Sequence, residues 1–319
     1  MSSYKQRPID LSGLKTVSLY GRGGKVTTDH FGSAHKKGAS LAQWMDSLPK
    51  LLAADTLRAV VERLEQARAK RRAIIWGIGG HVIKCGLAPI LLDMMDRGFA
   101  TAFSMNGAAA IHDFEIALAG YTSEDVEAVL PDGTFGSAEE TGREYNKALT
   151  EAARDGLGAG EAIGRLLTQT ANPQFAAQSL LHQAYLSRTP ATVHIAFGTD
   201  TPHTHPAADP ASIGAATHQD FRLLCSLVTE LNDGGVYLNV GSAVVMPEVF
   251  LKALSSARNL GHEVRNFATV NFDFLQHYRP KVNVVERPHA QAGGKGYSLT
   301  GHHELMIPLL AALLIEREK

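Results

Sequence analysis

Residues 73–81, Ala-Ile-Ile-Trp-Gly-Ile-Gly-Gly-His, decide the fold of this chain. The first six residues form a short and almost wholly apolar run, which is typical of a buried strand. Glycines interrupt the run, and apolar residues return at helical spacing over residues 82–97. The stretch therefore predicts a strand, a glycine turn and a helix in succession.

The same unit follows at once along the chain. Residues 100–105 predict a second strand, Asn106-Gly107 a turn, and residues 108–118 a helix. Two such units in succession predict a parallel sheet with right-handed crossovers. Further strands are predicted at residues 191–197, 235–240 and 267–273. The predicted fold class is therefore α/β, with a Rossmann-like parallel sheet flanked by helices.

The rest of the chain predicts helices and loops around that sheet. Residues 1–40 carry six glycines among Lys, Arg and His with little periodicity, so we expect an irregular N-terminal arm. A single α/β domain is expected over residues 41–319. Within it we expect a helix or helix pair at 41–72, a long loop at 121–142, mostly helix at 144–188, a helix near 221–231 and a closing helix at 305–315.

Composition restricts the partners of the chain. The formal net charge of −1 gives no field that would hold it on nucleic acid or on anionic lipid, so we expect a small-molecule ligand. Cys85 and Cys225, each in an apolar run, indicate buried free thiols rather than a disulfide framework. The first ten residues lack the apolar stretch of a signal peptide, which predicts a cytoplasmic protein.

Ligands of parallel sheets bind beyond the carboxyl ends of the strands, where loops converge and helix N-termini point outward. The first candidate turn is Gly77-Ile78-Gly79-Gly80-His81, in which Gly79 and Gly80 would let backbone N–H groups approach a phosphate closely. It departs from the Gly-x-Gly-x-x-Gly dinucleotide pattern because the next glycine, Gly86, comes too late.

Two further turns have both a structural and a functional interpretation. Ser104, Asn106 and Gly107, followed by Asp113, place polar groups at the mouth of the second strand, although Asn-Gly also simply makes a turn. Gly241-Ser242 follows the strand at 235–240, where it would start the next helix or cradle a ligand.

The remaining turn suggests a different chemistry. Asp200, His203 and His205 offer a carboxylate and two imidazoles within six positions, a set that can hold a divalent metal in hydrolases. His302, His303 or Glu304 would then complete the shell or act as the base. The alternative is that these histidines are solvated residues of a loop.

The order of these turns resembles the deoxyhypusine synthase family, enzymes that use NAD to move the aminobutyl group of spermidine onto a lysine. The resemblance extends by order of elements from about Ile74 to the C-terminus. The family's Thr-Thr-Ala-Gly-Gly turn, with its following Glu-Asp-Phe and Leu-Ala-Pro, is similar to residues 104–108, 113–114 and 118–120. Its small-residue turn with Ile-Ser-Ser-Gly is similar to residues 79–86. Its Leu-Thr-Asp-Gly-Ser, Gly-Gly-Gly-Val-Val and terminal Phe-Pro-Leu-Leu are similar to residues 198–201, 241–245 and 307–310.

The resemblance implies a deoxyhypusine synthase-like NAD-binding fold, a transferase ancestry and a homotetramer. It implies that the strand-end turns line a site for NAD or a related nucleotide, whose expected contacts are Gly79, Gly80, His81, Ser104, Asn106, Gly107, Asp113, Asp200, Gly241, Ser242 and His302.

The catalytic motifs of the family are not matched. Its Lys-His-His is Met246-Pro247-Glu248 here, and its Ser-Trp-Gly-Lys, which carries the lysine of the covalent imine, is absent. His289 and Lys295 lie near that place and become the candidate acid/base residues, although the Gly-Lys-Gly around Lys295 is also typical of a flexible surface loop. We therefore expect a relative that does not synthesise deoxyhypusine; the alternatives are the metal-dependent hydrolase and a non-catalytic ligand-binding protein.

Overall fold

A computed structural model of the chain describes residues 3–318. The strands within that range are β1 (Ile74–Ile78), β2 (Ala102–Asn106), β3 (Ala191–His194), β4 (Val236–Val240), β5 (Ala268–Asp273) and β6 (Lys295–Thr300). They form one sheet of order β3-β2-β1-β4-β5-β6, and every neighbouring pair is parallel. The predicted parallel α/β fold is confirmed.

Helices connect the strands and cover both faces of the sheet. Those that precede β3 are α1 (Leu41–Ser47), α2 (Leu52–Ala69), α3 (Gly80–Lys84), α4 (Ala88–Asp96), α5 (Gly107–Ala119), α6 (Val126–Val129), α7 (Glu139–Asp155), α8 (Ala159–Thr170) and α9 (Leu180–Ser187). Those that follow it are α10 (Pro210–Thr229), α11 (Val245–Asn259) and α12 (His303–Glu316). A π-helical turn at Pro280–Glu286 lies between β5 and β6.

The core has two layers because strand side chains alternate between the faces of the sheet. Ile74, Trp76 and Ile78 of β1 point into the larger layer, which α2, α4, α5 and α12 share. Ile75 points into the smaller layer beneath α10 and α11. Strands that are buried on both faces need apolar residues at every position, which is why β1 appears in the sequence as a continuous apolar run.

One strand was not predicted from the sequence. Residues 295–300 form β6 at the edge of the sheet, where only Tyr297 and Leu299 are buried. The Gly-Lys-Gly segment is therefore the start of a strand rather than a flexible loop. An edge strand with one exposed face alternates between buried and exposed residues, so its sequence lacks the continuous apolar run from which the other strands were predicted.

Several helix boundaries also differ from the prediction. The helix expected over 82–97 is divided into α3 and α4 by Gly86, whose φ of +74° lies in the left-handed region. The loop expected over 121–142 contains α6 and the start of α7, and α10 begins eleven residues before the predicted 221. The expected helix pair before β1 is confirmed as α1 and α2.

Residues 3–40 contain no strand and no α-helix, only a 3-10 turn at Thr28–His30. Among the helices within residues 3–318, none combines the length and the apolar character that crossing a membrane requires. Cys85 and Cys225 are free thiols, but both are half-buried, not fully buried as predicted.

Candidate functional site

The strand order places a topological switch point between β1 and β4. The chain leaves β1 toward β2 on one side and leaves β4 toward β5 on the other, so the loops that follow these two strands separate at the carboxyl edge. Open α/β sheets bind ligands in the crevice at such a point. The turns after β1 and β4 are therefore the centre of the candidate site.

The glycines of these two turns touch each other. The backbone N–H of Gly79 donates to the carbonyl oxygen of Val240 at 3.0 Å. A Cβ added at Gly79 would lie 2.1 Å from the carbonyl oxygen of Gly241, so no other residue fits there. Gly241 has a φ of +65°, and a Cβ on it would lie 3.1 Å from the His303 ring. Both glycines permit a close backbone approach at the switch point.

Gly80 brings the turn after β1 against α5. A Cβ on Gly80 would lie 3.1 Å from the Cβ of Ala108 and 3.2 Å from the His112 ring. His112 contacts the Thr122 hydroxyl at 2.7 Å, and Thr122 in turn bonds to the carboxylate of Glu115. Burial and the nearby Lys84 lower the pKa of His112 to about 4, so this imidazole is neutral at pH 7.

Asp200 reaches the site from the loop that follows β3. Its Oδ2 accepts a hydrogen bond from the backbone N–H of Ala196 at 3.1 Å, and its Oδ1 accepts one from the Thr199 hydroxyl at 3.2 Å. A Cβ on Gly107 would lie 1.9 Å from Oδ2, so the carboxylate lies against the first residue of α5. Burial raises the pKa of Asp200 above its ordinary value.

Ser104 and Asn106 have structural partners. The Asn106 side-chain oxygen accepts from the backbone N–H of Ala109 at 2.9 Å, which makes Asn106 the N-cap of α5. Ser104 is fully buried and accepts from the Thr192 hydroxyl at 2.9 Å, with His194 Nε2 at 3.0 Å. Burial lowers the pKa of His194 to about 3.

Asp113 and Ser242 also make intramolecular bonds. Asp113 is fully buried, and it accepts hydrogen bonds from the Ser179 hydroxyl and from the backbone N–H groups of Leu180 and Leu181. It therefore caps the N-terminus of α9 instead of facing the crevice. The Ser242 hydroxyl accepts from the Met246 N–H at 3.1 Å and so begins α11.

Histidines from two segments gather around Phe274, just past the end of β5. The ring of Phe274 lies 6.2 Å from that of His81, 6.0 Å from that of His303, and stacks on that of His302 at 6.1 Å. The His81 and His303 rings are 5.6 Å apart. The start of α12 thus brings His302 and His303 to the glycine turn after β1.

His303 is the most buried member of this group. Its Nε2 lies 3.3 Å from the Phe272 carbonyl oxygen and 3.8 Å from Asp273 Oδ1, whereas its buried Nδ1 has no partner. A carbonyl oxygen only accepts, so Nε2 is assigned the proton and Nδ1 is left as an acceptor. Burial lowers the pKa of His303 against the opposing effect of Asp273, which favours the neutral ring.

The proposed metal ligands Asp200, His203 and His205 are not brought together. The one group of three His, Cys, Asp or Glu side chains with converging ligand atoms in residues 3–318 is His81, Cys85 and Glu304. His205 turns toward α7, where its Nε2 lies 3.1 Å from Glu139. His203 packs on Phe197 with a ring distance of 4.9 Å. In this structure the ligand atoms of these three side chains therefore do not converge on one metal position.

His289 and Lys295 lie at the opposite edge of the sheet. His289 Nε2 contacts the hydroxyl of Thr269, near the start of β5, and Lys295 is the first residue of β6. The carboxyl end of β5, at Asp273, is four residues beyond Thr269, or about 13 Å away at 3.3 Å per residue. The structure does not bring either residue to the glycine turns, because a strand's two ends cannot share one site.

A cavity of about 530 Å³ opens at that amino edge, lined by the end of α11 and the segments before β5 and β6, with Arg258, Arg265 and Arg287 among its residues. It contains none of the predicted site residues. The arrangement that the strand order singles out is therefore the turn cluster at the carboxyl edge, not this cavity.

Sequence reasoning missed Cys85, Asp273 and Phe274 as site residues. Only Cys85 had a usable signal, since it follows His81 by four residues on one helix and so lies on the same side of it. The others come to the site through packing of distant segments, which a single sequence does not display.

No protein-family profile matches the chain, and no curated protein matches it. Solved structures do. A putative deoxyhypusine synthase from Entamoeba histolytica matches at 11% identity and a TM-score of 0.51, with 90% of this chain and 96% of that chain covered. Unliganded AgrE matches at 15% identity and a TM-score of 0.51, with 82% and 32% covered.

AgrE in a ternary complex with ornithine and NAD+ matches at 13% identity and a TM-score of 0.50, with 83% of this chain and 34% of that chain covered. The chain therefore spans about a third of the length of AgrE. At such identities the likeness shows the fold alone. This chain has the α/β, Rossmann-like fold of the putative deoxyhypusine synthase, as the order of its turns predicted.

Proposed function

We propose that this chain binds NAD or a related dinucleotide at the carboxyl edge of β1 and β4. The observation that carries the proposal is the contact between Gly79 and Gly241, which brings the turns after β1 and β4 together at the switch point, where open α/β sheets bind ligands. The backbone N–H groups of Gly80 and His81 have no acceptor within the described chain, so they are free to donate to a diphosphate.

Two of the similar structures support the choice of ligand. The AgrE structure of the same fold was determined with ornithine and NAD+, and the deoxyhypusine synthase family, which this chain resembles, uses NAD. In this proposal Asp200 and Gly107 line the side of the site that is next to α5. Four of the other predicted contacts position the turns, since their side chains already have protein partners. They are Ser104, Asn106, Asp113 and Ser242.

For catalysis we propose His303 in place of His289 and Lys295. Its buried Nδ1, which has no hydrogen-bond partner, suits it to accept a proton beside the crevice. Bound NAD would supply the hydride acceptor of an oxidoreductase-like step. The covalent imine of the transferase reaction forms no part of the proposal, because the motif that carries its lysine is absent from the chain.

Calorimetry with NAD+ and NADH tests the binding proposal. Gly241→Ala adds a side chain at the switch point, whereas Gly261→Ala bears the same left-handed strain at a position with open space, φ +88°. We expect the first variant to weaken NADH binding by at least about tenfold and the second to change it by less than about twofold. Absence of saturable binding of either nucleotide to the unmodified protein would overturn the proposal.

We also propose that the chain is a cytoplasmic homotetramer. The family resemblance supports the assembly, and nine large apolar side chains of the N-terminal arm are exposed, from Tyr4 to Phe31. Multi-angle light scattering should give four times the 34.3 kDa mass of one chain. A monomer mass at micromolar concentration would contradict the tetramer.

A further inference from the structure

Three metal-binding side chains converge at the carboxyl edge of the sheet, outside the set predicted from the sequence. His81 lies in α3, and Cys85 is the residue directly after that helix. The Cys85 N–H donates to the His81 carbonyl oxygen at 2.9 Å. Residues four apart on a helical turn share one side of it. Glu304, in the first turn of α12, faces both of them.

The distances approach those of a coordination shell. One ligand atom from each residue lies within 4.8 Å of the other two, and Cys85 Sγ lies 3.8 Å from Glu304 Oε2. A tetrahedral zinc ion with bonds of about 2.0–2.3 Å holds its ligand atoms roughly 3.5 Å apart. The cluster therefore needs side-chain movements of about 1 Å, without any change in the backbone.

The three donor groups have few other partners. Within residues 3–318 Glu304 makes no ion pair with Lys or Arg, and His302 Nδ1 lies 3.9 Å from its Oε1. The Cys85 thiol donates to Glu304, and the His81 ring has only aromatic contacts with Phe274 and His303. An ion would compete for Glu304 with the Cys85 thiol, with the residue's own backbone N–H and with His302.

We infer that His81, Cys85 and Glu304 form a binding site for a zinc-like divalent transition metal. One sulfur, one nitrogen and one oxygen donor suit a borderline-soft ion such as Zn²⁺ and are unsuited to Mg²⁺ or Ca²⁺, which take oxygen ligands. Three protein ligands leave a fourth position open to water or substrate, as catalytic zinc sites do. On binding, the Cys85 thiol loses its proton to solvent and the sulfur coordinates the ion.

The inference does not depend on the dinucleotide proposal. The two sites share His81, but Cys85 and Glu304 belong to the metal site alone. Variants of these two residues therefore test the metal while leaving the glycine turns intact. Cys225, the only other cysteine in the sequence, is half-buried in α10 and provides a matched control.

The experiment uses the full chain without a histidine tag, stripped with a chelator and titrated with Zn²⁺ and with Co²⁺. We expect one Zn²⁺ per chain and a thiolate-to-Co²⁺ charge-transfer band. Cys85→Ser should weaken Zn²⁺ binding by at least about 100-fold and abolish the band, since even partners of metal ligands contribute 10- to 100-fold. Glu304→Gln should weaken binding and keep the band, and Cys225→Ser should change neither.

Two results would overturn the site: no stoichiometric Zn²⁺ binding by the unmodified chain, or unchanged affinity and charge-transfer band in Cys85→Ser. Circular dichroism of Cys85→Ser and its NADH affinity in metal-free buffer confirm that the variant is folded. Metal binding without NADH binding would defeat only the dinucleotide proposal, and the reverse result would defeat only the metal site.

Discussion

The carboxylate of Asp200 lies directly against Gly107, so that a Cβ at position 107 would come within 1.9 Å of Oδ2. Asp200 belongs to the loop after β3, and Gly107 is the first residue of α5 after β2. The contact fixes two strand-end turns relative to each other. It also explains why the first residue of α5 is a glycine although its φ does not require one. The space that a side chain would need there is occupied by Asp200.

This contact should appear as coupling between the two positions. Gly107→Ala is expected to reduce the free energy of unfolding by about 2 kcal/mol through overpacking. Asp200→Ala should reduce it by about 2 kcal/mol, because the Ala196 N–H loses its acceptor. In the double variant the overpacking is relieved, so the combined loss should fall short of the sum by about 1 kcal/mol or more. Urea denaturation measures all four proteins, and additive losses would contradict the contact.

Asp200→Ala should also weaken nucleotide binding by at least about tenfold, since a buried hydrogen bond at a site is worth about 1.4 kcal/mol or more. Calorimetry with NADH measures the effect. Asp96→Ala serves as the control, because Asp96 is exposed at the end of α4. Equal affinity in both variants would remove Asp200 from the site.

Gly79→Ala should destabilise the fold by about 3 kcal/mol, because the atom that its Cβ meets is the backbone oxygen of Gly241, which cannot move aside alone. Gly214 is the matched control. It lies inside α10 with nothing within 4 Å of an added Cβ, so Gly214→Ala should stabilise the chain by about 1 kcal/mol through helix propensity. Thermal and urea unfolding should move in opposite directions for the two variants.

His289→Ala should leave NADH affinity within about twofold of the unmodified protein, since His289 bonds Thr269 near the amino end of β5, far from the glycine turns. A tenfold loss in calorimetry would restore His289 to the site, either within one chain or across an assembly. His303→Ala is the comparison at the carboxyl edge and should lower the affinity measurably.

Asp220 should make stability fall as pH rises. Burial and the nearby Glu161 raise its pKa to about 7, although backbone N–H groups of Gly160 and Val193 oppose the shift. Its Oδ1 is buried without a partner. Between the ordinary pKa of 3.8 and about 7 the folded state holds a proton that the unfolded state has lost, so ionisation destabilises the fold as pH increases.

The test compares the unmodified chain with Asp220→Asn, which does not titrate. From pH 4 to pH 8 the free energy of unfolding of the unmodified chain should fall relative to that of the variant, by up to about 4 kcal/mol. The comparison cancels opposing contributions from buried histidines such as His194, whose stabilisation is lost as pH falls. A free energy of unfolding of the unmodified chain that instead rises relative to that of Asp220→Asn as pH increases would show that Asp220 is ionised at low pH.

The parallel sheet could be predicted because its strands are buried on both faces. β1, β2 and β4 each appear as a short, mostly apolar run followed by a turn and a helical pattern. β6 could not be predicted in the same way, since its exposed positions, such as Lys295, interrupt the apolar pattern. The glycine turns at Gly79 and Gly241 were found for the same reason as the strands that they follow.

By itself the sequence determined the α/β class, the parallel sheet and the turns at the strand ends. Burial patterns and turn preferences depend on residues that are neighbours in the chain, so a single sequence shows them. Only the tertiary structure decided which side chains share an edge. It places Cys85 beside Glu304, which is 219 positions away in the chain, and it places His289 near the amino end of β5. Contacts between distant segments depend on how strands order and helices pack, and one sequence carries no direct record of that order.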